Sequence, residues 1–223
     1  MRMRCPVRLL GILATLVAGM TVGSGVLISG AAYATPCGTA IVAGATCTMT
    51  GTVTLTGGTL TLASASSLTW TGTLNGLDQS LVDVVAGDQQ YTVNDATGSG
   101  AGWHVTTSAT TFTNGAHTFP NSGTFVTNGS VTSITDTTRP TATCTATCTL
   151  PTNSTTYPIA IMTAPLTPTA ATIYDTALAT GMGEIVIGGS AAANPIGWWV
   201  NVPASASAGS YTSTITMEII SGP

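Results

Sequence analysis

Over long stretches of this chain apolar and polar residues alternate one for one, the two-residue period of a strand with one buried face. Cys47 to Leu62 reads C-T-M-T-G-T-V-T-L-T-G-G-T-L-T-L, an alternation broken only by Gly57-Gly58. It predicts a β-hairpin in which Val53, Leu55, Leu60 and Leu62 line the buried side and threonines cover the other. Ser67 to Leu74 predicts the next strand, with Leu68 and Trp70 on one face. Leu77 to Val85, in a stretch punctuated by Asp78, Asp83 and Asp88, fits a strand or a short helix. Val93 to Phe112 joins a glycine-rich polar turn, Asp95 to Gly102, to a strand in which Trp103 and Val105 share one face and His104 and Thr106 the other.

Beyond Phe112 the periodicity weakens. Asn114 to Ser133 predicts short strands with a hairpin near Asn121 to Gly123, and Asp136 to Pro151 a stapled excursion. Ile159 to Met162, Thr172 to Tyr174 and Gly183 to Ile187 read as later strands. At the end, Gly197 to Val202 is expected to face Tyr211 to Ile219 as a hairpin across a turn starting at Pro203, with Tyr211, Ile215, Met217 and Ile219 inward. Eight to eleven short strands without a convincing amphipathic helix predict an all-β protein, a β-sandwich or Greek-key domain over Thr35–Pro223.

Met1 to Ala34 changes the picture of location. Arg2, Arg4 and Arg8 precede a largely apolar run, and Ala32-Tyr33-Ala34 offers a small-x-small cleavage site, so the segment reads as a secretory signal peptide that leaves no stable membrane anchor. Three of the four basic residues depart with it. All 8 acidic residues then face Arg139 alone, and there is no lysine. Nucleic acid is excluded as a partner because nothing could neutralise phosphates, and a lysine–asparagine isopeptide cross-link cannot form. Ile219 to Pro223 holds no sorting motif, so retention at a surface would be non-covalent.

Cys37, Cys47, Cys144 and Cys148 remain in the exported chain. Three pairings are open. Cys37 with Cys47 and Cys144 with Cys148 close the shortest loops, each stabilising by about 2–3 kcal/mol in the chain-entropy estimate. A zinc site fits these spacings badly, with no histidine nearby.

Chemistry is sparse. No nucleophile elbow, zinc-binding helix motif or free cysteine points to an enzyme, and no cofactor or metal is expected. Asp78, Asp83, Asp88 and Asp95 lack the spacing of a calcium loop, and His104 and His117 read as solvated surface residues. Trp70 and Trp103 each share a face with another apolar residue and read as core. Trp198 and Trp199 are adjacent and must point to opposite faces. Parity with Val200 and Val202 puts Trp198 inside and Trp199 beside Asn201 on the outer face. There Trp199, Asn201 and Trp198 form the candidate ligand-binding group, with Trp199 either an exposed stacking platform for sugars or a partner, or packed under a loop.

L-T-W at Leu68 to Trp70, V-N-D-A-T-G-S-G-A-G-W-H-V at Val93 to Val105, Phe112, and V-P-A-S-A-S-A-G-S-Y-T-S-T-I-T from Val202 to Thr216 resemble the WxL-domain surface proteins of Gram-positive bacteria. The terminal Trp-x-Leu of that family is replaced by Met217-Glu218-Ile219, whose alternation keeps Met217 and Ile219 inward. The resemblance makes Trp70, Trp103, Tyr211, Met217 and Ile219 motif or core positions. It implies a secreted, wall-associated protein that binds peptidoglycan or another cell-wall glycan non-covalently, alongside other surface proteins. Assembly of a structural or adhesive subunit through strand edges is the alternative.

Trypsin is expected to leave Thr35–Pro223 uncut, because its one basic residue, Arg139, precedes Pro140. Intact mass after digestion checks this, and fragments would place the leader cleavage elsewhere.

Overall fold

The computed structural model describes residues 35–38, 40 and 42–223; the signal segment expected over Met1 to Ala34 lies outside the described residues. The chain divides into two units, Met1–Thr54 and Leu55–Pro223. In the first, β1 (Thr35–Pro36) pairs in parallel with β2 (Cys47–Thr48), and a disulfide joins Cys37 to Cys47 with their Cα atoms 5.0 Å apart. The N–H of Cys37 donates to the Thr48 carbonyl at 2.8 Å.

The second unit is almost entirely β, with three four-stranded sheets. One holds β3 (Leu60–Ser64), β5 (Gln90–Asp95), β12 (Gly183–Gly188) and β8 (Ala142–Cys144), all antiparallel in that order. Another holds β4 (Gln79–Val82), β13 (Gly197–Val202), β7 (Phe125–Asn128) and β9 (Ile159–Ile161). The third is built on β6 (Trp103–Thr110), which takes β14 (Ile215–Ser221) along one edge and divides its other edge between β11 (Ala171–Asp175) and the two-residue β10 (Thr163–Ala164).

Alternation sets which residues close the core. Tyr91, Val93 and Asp95 of β5 are buried while their neighbours are not, and Trp103, Val105, Thr107 and Ala109 of β6 are wholly inaccessible. Ile185 and Ile187 of β12, beside Val93 and Tyr91 in the same sheet, join this core, as do Phe125, Ile161, Trp198 and Val200 from the sheet of β4, β13, β7 and β9. Trp103 is fixed at every polar atom. Its backbone N–H donates to Thr176 Oγ1 at 2.7 Å, its indole Nε1 donates to the Gly181 carbonyl at 2.8 Å, and its ring stacks on Tyr174 at 5.9 Å. Gly102 enters this strand at φ +76°, where an added Cβ would sit 2.7 Å from the Thr176 carbonyl, so only glycine fits.

Several expected elements differ. The hairpin over Cys47 to Leu62 does not form: β3 pairs with β5, Gly58 donates to the Ala96 carbonyl, and Val53 and Leu55 stand exposed rather than buried. Ser67 to Leu74 makes no ladder and runs as an extended strap. The closing hairpin is also absent, because β13 pairs with β4 and β7 whereas β14 crosses to β6. For Gly197–Val202 and the closing strand the alternation held and the partner did not, since pairing is decided by distant sequence, whereas the alternation before Leu60 marks no buried face. His104 is half-buried, and its Nδ1 shares a hydrogen bond with the Gly222 carbonyl at 2.7 Å, while His117 is exposed as expected. Cys144 and Cys148 are bonded at the end of β8, completing the shorter-loop pairing.

Trp103→Ala is expected to cost about 3–5 kcal/mol, whereas Val53→Asp and Leu55→Asp, at positions 83% and 88% exposed, should each cost less than about 0.5 kcal/mol. Urea denaturation followed by circular dichroism checks both.

Candidate functional site

The edge strands β3 and β14 belong to different sheets, and among the described residues neither has a partner on its second edge. Between them lies a groove of about 870 Å³. Strand alternation furnishes its walls. Leu60 and Leu62 turn inward from β3, and Ile215, Met217 and Ile219 from β14, all half-buried against the core, while Thr216, Glu218 and Ile220 point out. Trp70, Tyr91, Phe112 and Trp198 form the floor.

The floor is held by the strap that follows β3. Asp83 is inaccessible to solvent, and its carboxylate accepts the backbone N–H of Thr69 at 2.6 Å and of Val85 at 2.8 Å. The Trp198 carbonyl accepts two bonds at 2.9 Å, from the Asp83 N–H and from Trp70 Nε1. Trp198 Nε1 in turn donates to the Asp88 carbonyl at 3.0 Å. Trp70 therefore stands at a fixed angle, its ring edge-on to Phe112 and Phe125 at 5.8 and 5.9 Å. A second hollow of about 620 Å³ lies on the other side of Trp70, bounded by Leu81, Val202 and the 206–211 loop. Tyr211 borders both hollows and stacks on Phe119 at 4.0 Å.

The rim is polar and acidic. Ser64, Ser66, Ser67, Thr212 and Ser213 supply hydroxyls, and Asp88 and Glu218 supply the charged groups. Asp88 is pushed above the usual carboxylate range by partial burial first, then by the charge of Asp83 and a hydrogen bond with it. Among the described residues no three His, Cys, Asp or Glu side chains come close enough to hold a metal ion. Elsewhere, Asp175 accepts from Ser154 and Thr155. Burial would raise its pKa, but these hydrogen bonds outweigh it and hold the carboxyl below its ordinary value, as suits a loop anchor.

The expected ligand group is dispersed. Trp199 is not the exposed platform: it is 5% exposed, and its Nε1 donates to the Ser130 carbonyl at 3.0 Å and to Asn128 Oδ1 at 3.2 Å. The segment after β7 covers that face of β13, so both faces are buried and parity does not decide exposure. Trp198 is inside as expected and reaches the groove floor. Asn201 is half-buried with its amide engaged: Nδ2 donates to the Gly123 carbonyl and Oδ1 accepts from Ser80, both at 2.6 Å. Trp103 lies in the closed core. Trp70, Tyr211, Met217 and Ile219 are brought together at the groove, where the sequence alone had not joined them. Leu60, Leu62 and Leu68 complete it; their alternation was legible, their half-exposed state was not.

Comparison with protein-family models, curated proteins and solved structures finds no match to this chain.

Asp83→Ala strands two backbone donors and is expected to cost about 1–3 kcal/mol and to shift the tryptophan emission. Asp88→Asn should act oppositely. A carboxyl whose folded pKa is raised loses stability as pH climbs through its ordinary range toward the folded value, so the amide should raise Tm at pH 7 and confer no gain near pH 3, as thermal melts at both pH values would show.

Proposed function

We propose that this chain is an exported, non-enzymatic surface protein that binds an extended polypeptide of the cell envelope in the groove between β3 and β14. The observation that carries the proposal is the coincidence, among the described residues, of two unpaired strand edges with half-buried apolar walls. A strand laid there gains main-chain hydrogen bonds from either edge and places alternate side chains over Leu62, Trp70 and Met217. Both disulfides and the absence, among the described residues, of a helix long and apolar enough to cross a membrane are compatible with an extracellular protein.

The resemblance to WxL-domain proteins supports the same location and favours a wall-held partner. Peptidoglycan itself is the second reading. It rests on that resemblance and on the aromatic rings of Trp70 and Tyr211 at the groove, although both rings are already engaged by other aromatics and Trp199 is covered. Because the exported chain is acidic and walls carry anionic polymers, either contact must be made by hydrogen bonding and apolar burial.

Co-sedimentation with isolated walls distinguishes the two. Protein-bearing walls are expected to retain the wild type, protease-stripped walls to retain at least ten-fold less, and Met217→Arg to abolish retention with its melting transition preserved. Equal retention on stripped walls would favour the glycan, and retention unaffected by Met217→Arg would remove the groove from the function.

A further inference from the structure

We propose that the strand this groove accepts is Thr48–Thr56 of a second copy of the same chain, an inference that rests on the groove being the binding site. The segment reads T-M-T-G-T-V-T-L-T. In an extended conformation Met49, Val53 and Leu55 share one face with Gly51, and threonines occupy the other. All three apolar residues are more than 80% exposed in their own chain, which is unusual for so regular an amphipathic strand pattern. No backbone ladder among the described residues includes 49–59.

The groove has the complementary deficit. Ile215, Met217 and Ile219 of β14 and Leu60 and Leu62 of β3 pack against the core but keep part of their surface open to the groove. Nine extended residues span about 30 Å, enough to run the length of the seven-residue β14. Charge narrows the choice of occupant. Asp88 and Glu218 flank the groove, so the acid-bearing stretches of a second copy, all at or beyond Asp78, are repelled from this rim. Residues 35–77 carry no charge and approach it without penalty. Donor and acceptor are different surfaces of one chain, so the contact is head-to-tail and each bound copy still presents a free donor or a free groove.

The test uses the protein purified in its exported form, followed by sedimentation velocity over a hundred-fold range of concentration. Wild type is expected to form a concentration-dependent ladder. The donor variant Val53→Asp/Leu55→Asp and the acceptor variant Met217→Arg should each be monomeric, and their equimolar mixture should form dimers only. A synthetic Thr48–Thr56 peptide should bind the donor variant and bind the acceptor variant at least ten-fold more weakly. A monomeric wild type to which the peptide does not bind would overturn the proposal. So would a wild type that takes up the peptide only after Val53→Asp/Leu55→Asp, since the segment would then occupy the groove of its own chain. If self-association fails while Met217→Arg still abolishes wall retention, the occupant is wrong and the groove stands. If both fail, the groove reading falls with it.

Discussion

Burial of β6 is the constraint from which the architecture follows. Its inward residues, Trp103, Val105, Thr107 and Ala109, are completely inaccessible, and both of its edges are taken. Indole-to-carbonyl and backbone-to-threonine bonds lock Trp103 to the 176–181 loop, so the strand has one position relative to β11. Once β6 is fixed, β14 has a full-length partner and no need of β13. The tandem tryptophans of β13 are then free to anchor a different sheet, between β4 and β7. Separating β13 from β14 is what leaves β14, and across from it β3, as edges over an unfilled interior.

The second consequence concerns Trp70. A strap with no ladder of its own would be expected to wander, yet it is tied at Thr69 by a buried carboxylate and at the indole by the Trp198 carbonyl. A carboxyl group without solvent is accommodated at Asp83 because two backbone donors meet it. The partition between the two hollows is therefore part of the packed structure rather than a loose side chain.

Local sequence was informative where the answer was local. The alternation of Tyr91 and Val93, the glycine turn before Trp103, the strand at Gly183 to Ile187 and the two short-loop disulfides could all be read from residues near one another, as could the all-β class. What failed were inferences about partners. Gly57-Gly58 is a strong hairpin signal, but Gly58 is already bonded to Ala96 in an extended conformation. Parity placed Trp199 opposite Trp198 correctly but left open whether that face is a bare platform or packed under a loop, and it is the latter. The covering segment, anchored by Asn128 and Ser130, carries no pattern that announces where it will lie. The groove was illegible for the same reason, since Leu62 and Met217 become neighbours only after two unrelated pairings are made.

Charge bears on how such a surface persists. The only lysine or arginine beyond Arg8 is Arg139, and its Nε donates to the Thr155 carbonyl at 3.1 Å. Ion pairing between copies is therefore nearly unavailable, and self-repulsion among eight acids discourages indiscriminate contact between them. That repulsion is absent from residues 35–77, so this amino-terminal stretch meets another copy without a like-charge penalty. Exposed apolar residues at Met49, Val53 and Leu55 would be an aggregation hazard in a neutral protein. Here the acidic remainder limits which surfaces can meet them, and specificity arises from where charge is missing.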